Sequence, residues 1–426
     1  MKKNTYLLLF AALALGLAWA VRGHFGHEWG AAWAGGIGTL AIVLMSGRED
    51  WQQKAPVLGS LGAVGWAIGG MMSYGMVIGY CRGTDLGNVW YGYTMLAVIG
   101  GLYGFLGGGF VGLGLSEEEH RKPAWASLVT QMVAGAYLFW GFFIFQLEWF
   151  MTPPRSELWA ACLGAAVAMA WYMYREGYQA AAKVAVYAGL GGAFGFAFGN
   201  FLQTAGAASG ISYNWWNVME FSLGAFGGLG MAYGIKNQDW PKTFTSPSRT
   251  NLLGLAFLFL LIPLINFTEA FSAKKLSRLA ETFEIEPLHV FLFQQRLLGI
   301  AIALVLVLTI LRLWYQSSKA SYKTAGIFFA LSFLYVIWSY LIKGVFLGNW
   351  GLGYSTSTYV PILILLASLW YFSPAETNHA RITERSKLIR MDWLLIALLI
   401  SCLIFAFISI RLHEGLPGTQ IRFPLN

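Results

Sequence analysis

Long apolar runs recur along the whole chain and are separated by short polar segments. A helix needs about 20 apolar residues to cross a bilayer. With that length as the criterion, the sequence predicts an all-α polytopic membrane protein with about 13 transmembrane helices. These spans lie near residues 5–21, 28–46, 56–80, 88–115, 124–148, 157–174, 183–203, 215–235, 251–267, 290–313, 324–347, 357–373 and 391–410.

The composition agrees with a lipid environment. The 426 residues are 57% hydrophobic and only 11% charged, whereas a soluble domain carries roughly 25% charged residues. So few charges cannot cover a soluble surface of this size, so the lipid bilayer is an expected partner. Three well-separated cysteines without a CxxC pattern predict neither a disulfide framework nor a zinc site.

The distribution of basic residues predicts the orientation. If the N-terminus is cytoplasmic, 18 of the 28 Lys and Arg residues fall on the cytoplasmic side and 8 on the outer side. This bias follows the positive-inside rule. It predicts an inner-membrane protein with an outer C-terminus, and it explains the net charge of +8 without nucleic acid. The oligomeric state is left open.

The first apolar run has a second interpretation. Residues Ala18–Ala20 resemble the cleavage site of a secretory signal. We expect an uncleaved first span instead, because further spans follow and the charge bias fits an intact helix.

Glycine divides the chain into two parts. Of 51 glycines, 42 lie at or before Gly234 and 9 lie after it. We therefore predict a glycine-rich transmembrane domain over 1–236, a cytoplasmic linker over 237–250 and a C-terminal helical domain over 251–426. The main interpretation of the glycines is close packing of helix backbones.

The glycine-rich part contains an apparent internal repeat. The segments 48–52, 62–69 and 99–102 match 175–179, 192–199 and 226–229, in the same order and at separations of 127 to 130 residues. The matches predict two parallel four-helix units, about 1–118 and 119–236. The interface of such repeats is a favoured place for a solute site. The alternative is chance similarity between helices rich in Gly and Ala.

A charged stretch lies between the first two spans. It contains Arg22, His24, His27 and Glu28. Ionisable groups next to apolar spans usually face a protein interior or a cavity. Two histidines and a carboxylate can hold zinc, but the spacing is not HExxH. We therefore expect no metal or other cofactor, and a lining that binds solute or protons. The alternative is a loop whose charges pair with each other.

The eighth span opens with a polar stripe. Asn214, Asn217 and Glu220 recur every three residues beside Trp215 and Trp216. An intramembrane carboxylate is costly without a partner, and Arg22 or Arg82 reaches the same leaflet. This predicts a charged solute site. The alternative is a structural ion pair that locks the two repeats together.

The loop before the fourth span is a third candidate. Arg82, Asp85, Asn88 and Trp90 would form a rim that selects solute. Alternatively, Arg82 and Asp85 pair with each other across a glycine turn. The tryptophans are typical of an interfacial aromatic belt, with a stacking platform for a ring or an organic cation as the second interpretation.

These features favour a transporter of a small polar or acidic organic solute, with proton coupling as an option. The first alternative is an integral membrane transferase that acts on a lipid-linked or outer-face substrate and uses His24 or His27 as general base. The second is a non-catalytic scaffold or channel. The depth of the polar cavity separates the three, and the sequence leans against an enzyme.

Overall fold

The computed structural model describes residues 3–243, 247–348, 358–373 and 389–423. Over these residues the protein is all-helical and multi-pass, and ten of its helices are long and apolar enough to cross a membrane. Residues 244–246 of the predicted linker, and the basic residues Lys2, Arg381, Arg385 and Lys387, lie outside the described ranges.

The helices follow one another with short connections. They are α1 Lys3–Arg22, α2 Glu28–Ser46, α3 Glu49–Gln53, α4 Ala55–Gly70, α5 Gly75–Tyr80, α6 Leu86–Leu115, α7 Trp125–Trp140, α8 Leu158–Arg175, α9 Gln179–Ala208, α10 Trp215–Lys236, α11 Ser248–Ala256, α12 Ile262–Ala270, α13 Ala273–Thr282, α14 Leu288–Gln316, α15 Ala320–Lys343, α16 Tyr359–Tyr371 and α17 Met391–Leu412. Short π-helical turns, Gly141–Gln146 and Phe257–Leu261, extend α7 and join α11 to α12.

Each predicted span overlaps at least one of these helices, but the number of about 13 is not confirmed, since ten of the described helices are long and apolar enough to cross a membrane. Helix α8, on the span near 157–174, is not among these ten. The spans near 56–80 and 357–373 correspond to the shorter apolar helices α4 and α16. The prediction of one continuous helix over 56–80 is wrong, since α4 ends at Gly70 and α5 begins at Gly75. A Cβ on Gly70 would lie 2.8 Å from the carbonyl oxygen of His27. The chain therefore turns where α4 meets the α1–α2 connection.

Six helices form a closed ring. Each of α1, α2, α4, α6, α9 and α10 packs against the next, and α10 returns to α1. Glycines allow the backbones to touch, as at Gly224 of α10, where a Cβ would overlap the Leu15 carbonyl and lie 2.6 Å from Trp19 Cβ. In a membrane, where burial of apolar surface does not drive association, such close contact holds helices together.

Large aromatic side chains fill the centre of this ring. The indole of Trp66 packs over Gly35, Gly107 and Gly227, which belong to α2, α6 and α10. The ring of Trp19 lies 4.9 Å from that of Trp66 and 5.2 Å from that of Tyr103. All three aromatic residues are fully buried. We call Trp19, Trp66 and Tyr103 the aromatic plug; they make the ring a packed core.

The remaining helices surround the ring. Helices α7 and α8 pack on each other outside α6 and α9, and α17 lies against α6 and α9. Helix α15 covers α2 and α1, and Asn266 of α12 donates to Trp29 O and to Tyr335 Oη. Helix α14 is apolar and largely exposed, with 11% of its most apolar stretch buried, which is expected of a helix that faces lipid.

Polar contacts fix the two ends of the bundle. We call the end that contains Arg22 and Trp215 the site end. At the opposite end, Arg48 donates to Asp50 and to Pro241 O, and the buried Lys54 pairs with Glu117. The contact of Arg48 with Pro241 ties the predicted linker to the connection between α2 and α4, and the Lys54–Glu117 pair ties that connection to the end of α6.

Candidate functional site

A polar cavity of about 670 Å³ opens at the site end. It lies between the end of α1, the start of α10, the α4–α5 break and the end of α15. Its lining consists of Ala20, Arg22, Gly23, His24, Gly26, His27, Ser73, Tyr74, Gly75, Met76, Arg155, Asn214, Trp216, Asn217, Glu220 and Lys343. Both predicted repeat units therefore contribute to it.

A buried ion pair lies on the cavity floor. Arg22 Nη2 is 2.9 Å from Glu220 Oε2 and donates to Glu220 Oε1 at 3.1 Å. The hydroxyl of Tyr74 accepts from Arg22 Nη2 at 2.9 Å and donates to Glu220 Oε1 at 2.8 Å. Arg22 is 1% exposed and Glu220 is 8% exposed. The prediction that Glu220 has an arginine partner is confirmed, and of the two candidates the partner is Arg22.

The two helices favour this placement of the charges. Arg22 is the last residue of α1, and Glu220 lies in the second turn of α10. A cation suits the negative end of a helix dipole and an anion suits the positive end. The guanidinium also lies over the ring of Trp19, 4.9 Å from its centroid. The aromatic plug therefore forms the base beneath the ion pair.

The two histidines of the charged stretch point to different partners. His24 Nδ1 bonds to Ser339 Oγ on α15, whereas the His27 ring packs edge-on to Tyr74. Burial lowers the pKa of His24, and the cations Lys343 and Lys275 lower it further. Burial and then Arg22 lower the pKa of His27. Both rings are therefore neutral at neutral pH, and no group of three metal-ligating side chains occurs within the described ranges.

Asn217 joins three elements at the cavity wall. Its Nδ2 donates to Ala20 O of α1 at 2.9 Å and to Tyr359 Oη of α16 at 2.7 Å. Asn214 instead caps α10, since its Oδ1 accepts from Asn217 N. The three residues of the polar stripe of α10 thus have different roles. Asn214 caps the helix, Asn217 bonds to α1 and α16, and Glu220 pairs with Arg22.

Six of the predicted site residues lie outside the cavity lining. Glu28 begins α2, and Trp215 packs on Gly206 and donates to Ile211 O. Trp90 is 46% exposed on α6. The other three are Arg82 and Asp85 in the loop before α6 and Asn88 in its first turn, and they are described next.

This loop holds the C-terminal tail of the chain. Arg82 donates to Pro417 O and lies over the Trp216 ring. Asn88 accepts from the backbone N of Arg422 and Phe423. Asp85 caps α6 by accepting from Asn88. The alternative of an Arg82–Asp85 pair is therefore wrong, because each side chain is used by a different neighbour.

Sequence reasoning missed several residues of the cavity. Tyr74 lies in the α4–α5 break, which the prediction covered with a helix, so its role went unnoticed. Lys343, the last residue of α15, and Arg155, in the connection before α8, were not among the predicted site residues either. Both line the cavity. Among the described residues of the lining, three side chains are cations and Glu220 is the single carboxylate.

A second cavity of about 810 Å³ lies at the opposite end. It is bordered by Tyr6 of α1, by Ala320 of α15 and by Trp370 of α16. Helices α1 and α15 also line the cavity at the site end, and Tyr359 of α16 bonds to Asn217 in its wall. Between the two cavities the three helices are packed, with Phe10 of α1 against Phe328 of α15 and Leu366 of α16 fully buried.

Comparison of the chain with protein family models, with curated proteins and with solved structures finds no match. The side chains that line the cavity therefore indicate which ligands it can bind. A buried arginine, one carboxylate, neutral histidines, amides and hydroxyls can bind a polar or acidic solute and can exchange a proton.

Proposed function

We propose that this protein is a multi-pass membrane transporter of a small polar or acidic organic solute, with its binding site in the cavity at the site end. The observation that carries the proposal is the buried Arg22–Glu220 pair on the cavity floor. Buried charges are costly in a membrane and mark solute or ion pathways. Lys343 and Arg155 add positive charge, which suits an acidic solute.

The depth of the site supports transport. Glu220 lies five residues after Trp215, roughly 7.5 Å along the helix axis, which is about half of the way to the bilayer midplane. The aromatic plug and the packed α1–α15 contacts close the base of the cavity. In our proposal the structure is a state in which the binding site is open to one side of the membrane. The site becomes connected to the second cavity when α15 and α16 move against the ring.

Orientation and symmetry are parts of the same proposal. The site end faces outward, because the basic connections cluster at the opposite end. The protein then resides in the inner membrane with its N-terminus in the cytoplasm. The internal repeat remains a prediction. The last two long helices of each unit are neighbours, α4 and α6 in the first unit and α9 and α10 in the second. The first two helices differ, since α1 and α2 belong to the ring whereas α7 and α8 lie outside it.

The two alternative functions fit the geometry less well. A transferase needs a histidine beside its carboxylate partner, whereas His24 bonds to Ser339 and Glu220 bonds to Arg22 and Tyr74. A scaffold does not require a buried ion pair at the base of a polar cavity. Proton coupling would rest on Glu220, since both histidines are neutral at neutral pH.

Uptake into proteoliposomes tests the proposal. Purified protein is reconstituted with a pH gradient of either sign, and a panel of labelled organic acids, sugars and amino acids is offered. We expect gradient-dependent uptake of an acidic solute that is lost in Glu220→Gln. The matched control is Glu117→Gln, which removes the carboxylate of an ion pair at the opposite end and should retain uptake. Failure of every solute, with equal behaviour of the two variants, would contradict transport.

A further inference from the structure

Arg22 has a buried donor without a hydrogen-bond partner among the described residues. Its Nη2 serves both Glu220 and Tyr74, while its Nε is buried and has no acceptor among the described residues. Nε and Nη2 together form the edge of a guanidinium that binds a carboxylate or phosphate through two parallel hydrogen bonds. Glu220 uses only the Nη2 position of this edge in the described structure.

A guanidinium buried this deeply needs a negative partner at all times. Removing one member of a buried ion pair leaves an uncompensated charge, which is strongly unfavourable. Glu220 supplies that partner in the structure. A bound oxyanion can supply it equally well, provided that Glu220 no longer carries its charge.

We propose that an anionic solute binds by replacing Glu220 on the Nε–Nη2 edge of Arg22, and that Glu220 takes up one proton as it releases the arginine. The solute is an oxyanion with a carboxylate or phosphoryl group. The proton enters the cavity from the outer solution together with the anion, and the neutral carboxyl keeps Tyr74 as its partner. One proton then enters with one negative charge, so occupation of the site moves no net charge. The inference rests on the proposed transport function.

The surroundings of Glu220 favour this exchange. The titratable and charged groups that face it come from five elements: Arg22 of α1, His27 of the α1–α2 connection, Tyr74 of the α4–α5 break, Tyr103 of α6 and Tyr359 of α16. Arg22 is the one cation among them. Once Glu220 is neutral, the cavity keeps the positive charge of Arg22 together with Lys343 and Arg155.

Anion binding to the purified full-length protein tests the exchange without knowledge of the natural solute. The probes are acetate and inorganic phosphate, which separate carboxylate from phosphoryl recognition, titrated against chloride at constant ionic strength. Thermal unfolding followed by tryptophan fluorescence reports binding. In the unaltered protein we expect the apparent Kd of the preferred probe to rise about tenfold per pH unit on the alkaline side, because one proton accompanies one anion.

Variants separate the exchange from a structural lock. Glu220→Gln should bind the same probe with an affinity that does not change with pH, because Arg22 has lost its built-in partner. The double variant Arg22→Gln/Glu220→Gln should show no specific binding. Glu117→Gln leaves the buried Lys54 unpaired and should lower the melting temperature, but it should bind the probe with the same pH dependence as the unaltered protein. If Glu220→Gln cannot be purified, the pH dependence of the unaltered protein decides alone.

Two results would overturn the exchange: probe binding that is independent of pH in the unaltered protein, or no probe binding in Glu220→Gln above that of the double variant. Either one makes the ion pair a structural lock. These results are distinct from a failure of transport. If Glu220→Gln still takes up a neutral solute, the protein is a transporter that does not use the anion exchange. If the anion exchange is observed but no solute is taken up, the protein has the binding site but does not transport.

Discussion

Arg22 and Glu220 lie in contact, 2.9 Å apart between Nη2 and Oε2, although 198 residues separate them in the chain. The contact joins the last residue of the first helix to the second turn of α10. Because Tyr74 bonds to both, the chain segment between α4 and α5 is also fixed at this point. Three distant parts of the sequence therefore meet on one cavity floor.

The energetics of this pair can be measured by a double-mutant cycle. We expect Arg22→Met and Glu220→Met each to lower the free energy of unfolding by about 3–5 kcal/mol, because each leaves one buried charge unpaired. The double variant should lose less than the sum, since it leaves no unpaired charge. Unfolding in detergent gives all three values. Additive losses would mean that the two side chains contribute independently.

His24 should make stability depend on pH. Its folded-state pKa is lowered by burial and by Lys343 and Lys275, so the unfolded chain binds its proton first. Stability should therefore fall as the pH drops below about 6.5, the ordinary histidine value. His24→Asn, which can still reach Ser339, should remove this part of the pH dependence. The exposed His120 offers the control, and an equal effect of His120→Asn would contradict the assignment.

Asp50 should contribute stability that is also lost on acidification, but at a lower pH than that of His24. Burial raises the pKa of Asp50, but hydrogen bonds from Arg48 and Thr243 lower it more, so the net shift is downward. Its contribution is then complete above about pH 4 and is lost as the pH falls through the folded-state value. We expect Asp50→Asn to cost about 1.5 kcal/mol at neutral pH and to release the linker to proteolysis.

The matched control for this prediction is Asp392, which forms a similar but exposed pair with Arg390. Asp392→Asn should leave the melting temperature unchanged. If both variants behave alike, the contact between Asp50 and the linker does not hold the two segments together.

Gly224 tests the packing of the ring. Because a Cβ at this position would overlap the backbone of Leu15, Gly224→Ala must push α10 away from α1. We expect a loss of about 1–3 kcal/mol and weaker solute binding, since the same displacement separates Arg22 from Glu220. Gly141→Ala is the control, because a Cβ there meets open space and Gly141 does not line the cavity. Equal melting temperatures for the two variants would show that α1 and α10 tolerate separation.

Much of the fold can be read from the sequence, because lipid requires long apolar helices. The same requirement hides how the helices are arranged. Helices α2 and α14 are both strongly apolar, yet 94% of the apolar stretch of α2 is buried and only 11% of that of α14. Glycine content separates the two, since α2 carries glycines such as Gly35 that admit Trp66.

The candidate site was predictable where charges interrupt apolar runs. Five residues of the cavity meet this condition: Arg22, His24, His27, Asn217 and Glu220. Tyr74 does not, because a tyrosine beside apolar residues is ordinary in a membrane helix. Asn88 meets the condition but binds the C-terminal tail, a partner that hydropathy patterns do not reveal.

Solute-dependent proton movement is the most direct test of the central claim. Proteoliposomes loaded with a pH-sensitive dye are exposed to a panel of organic acids, with and without a membrane potential. The account predicts that one class of acid acidifies the lumen through the unaltered protein and through Glu117→Gln, but not through Glu220→Gln or Arg22→Gln. Acid-driven proton movement that persists in Glu220→Gln would contradict it.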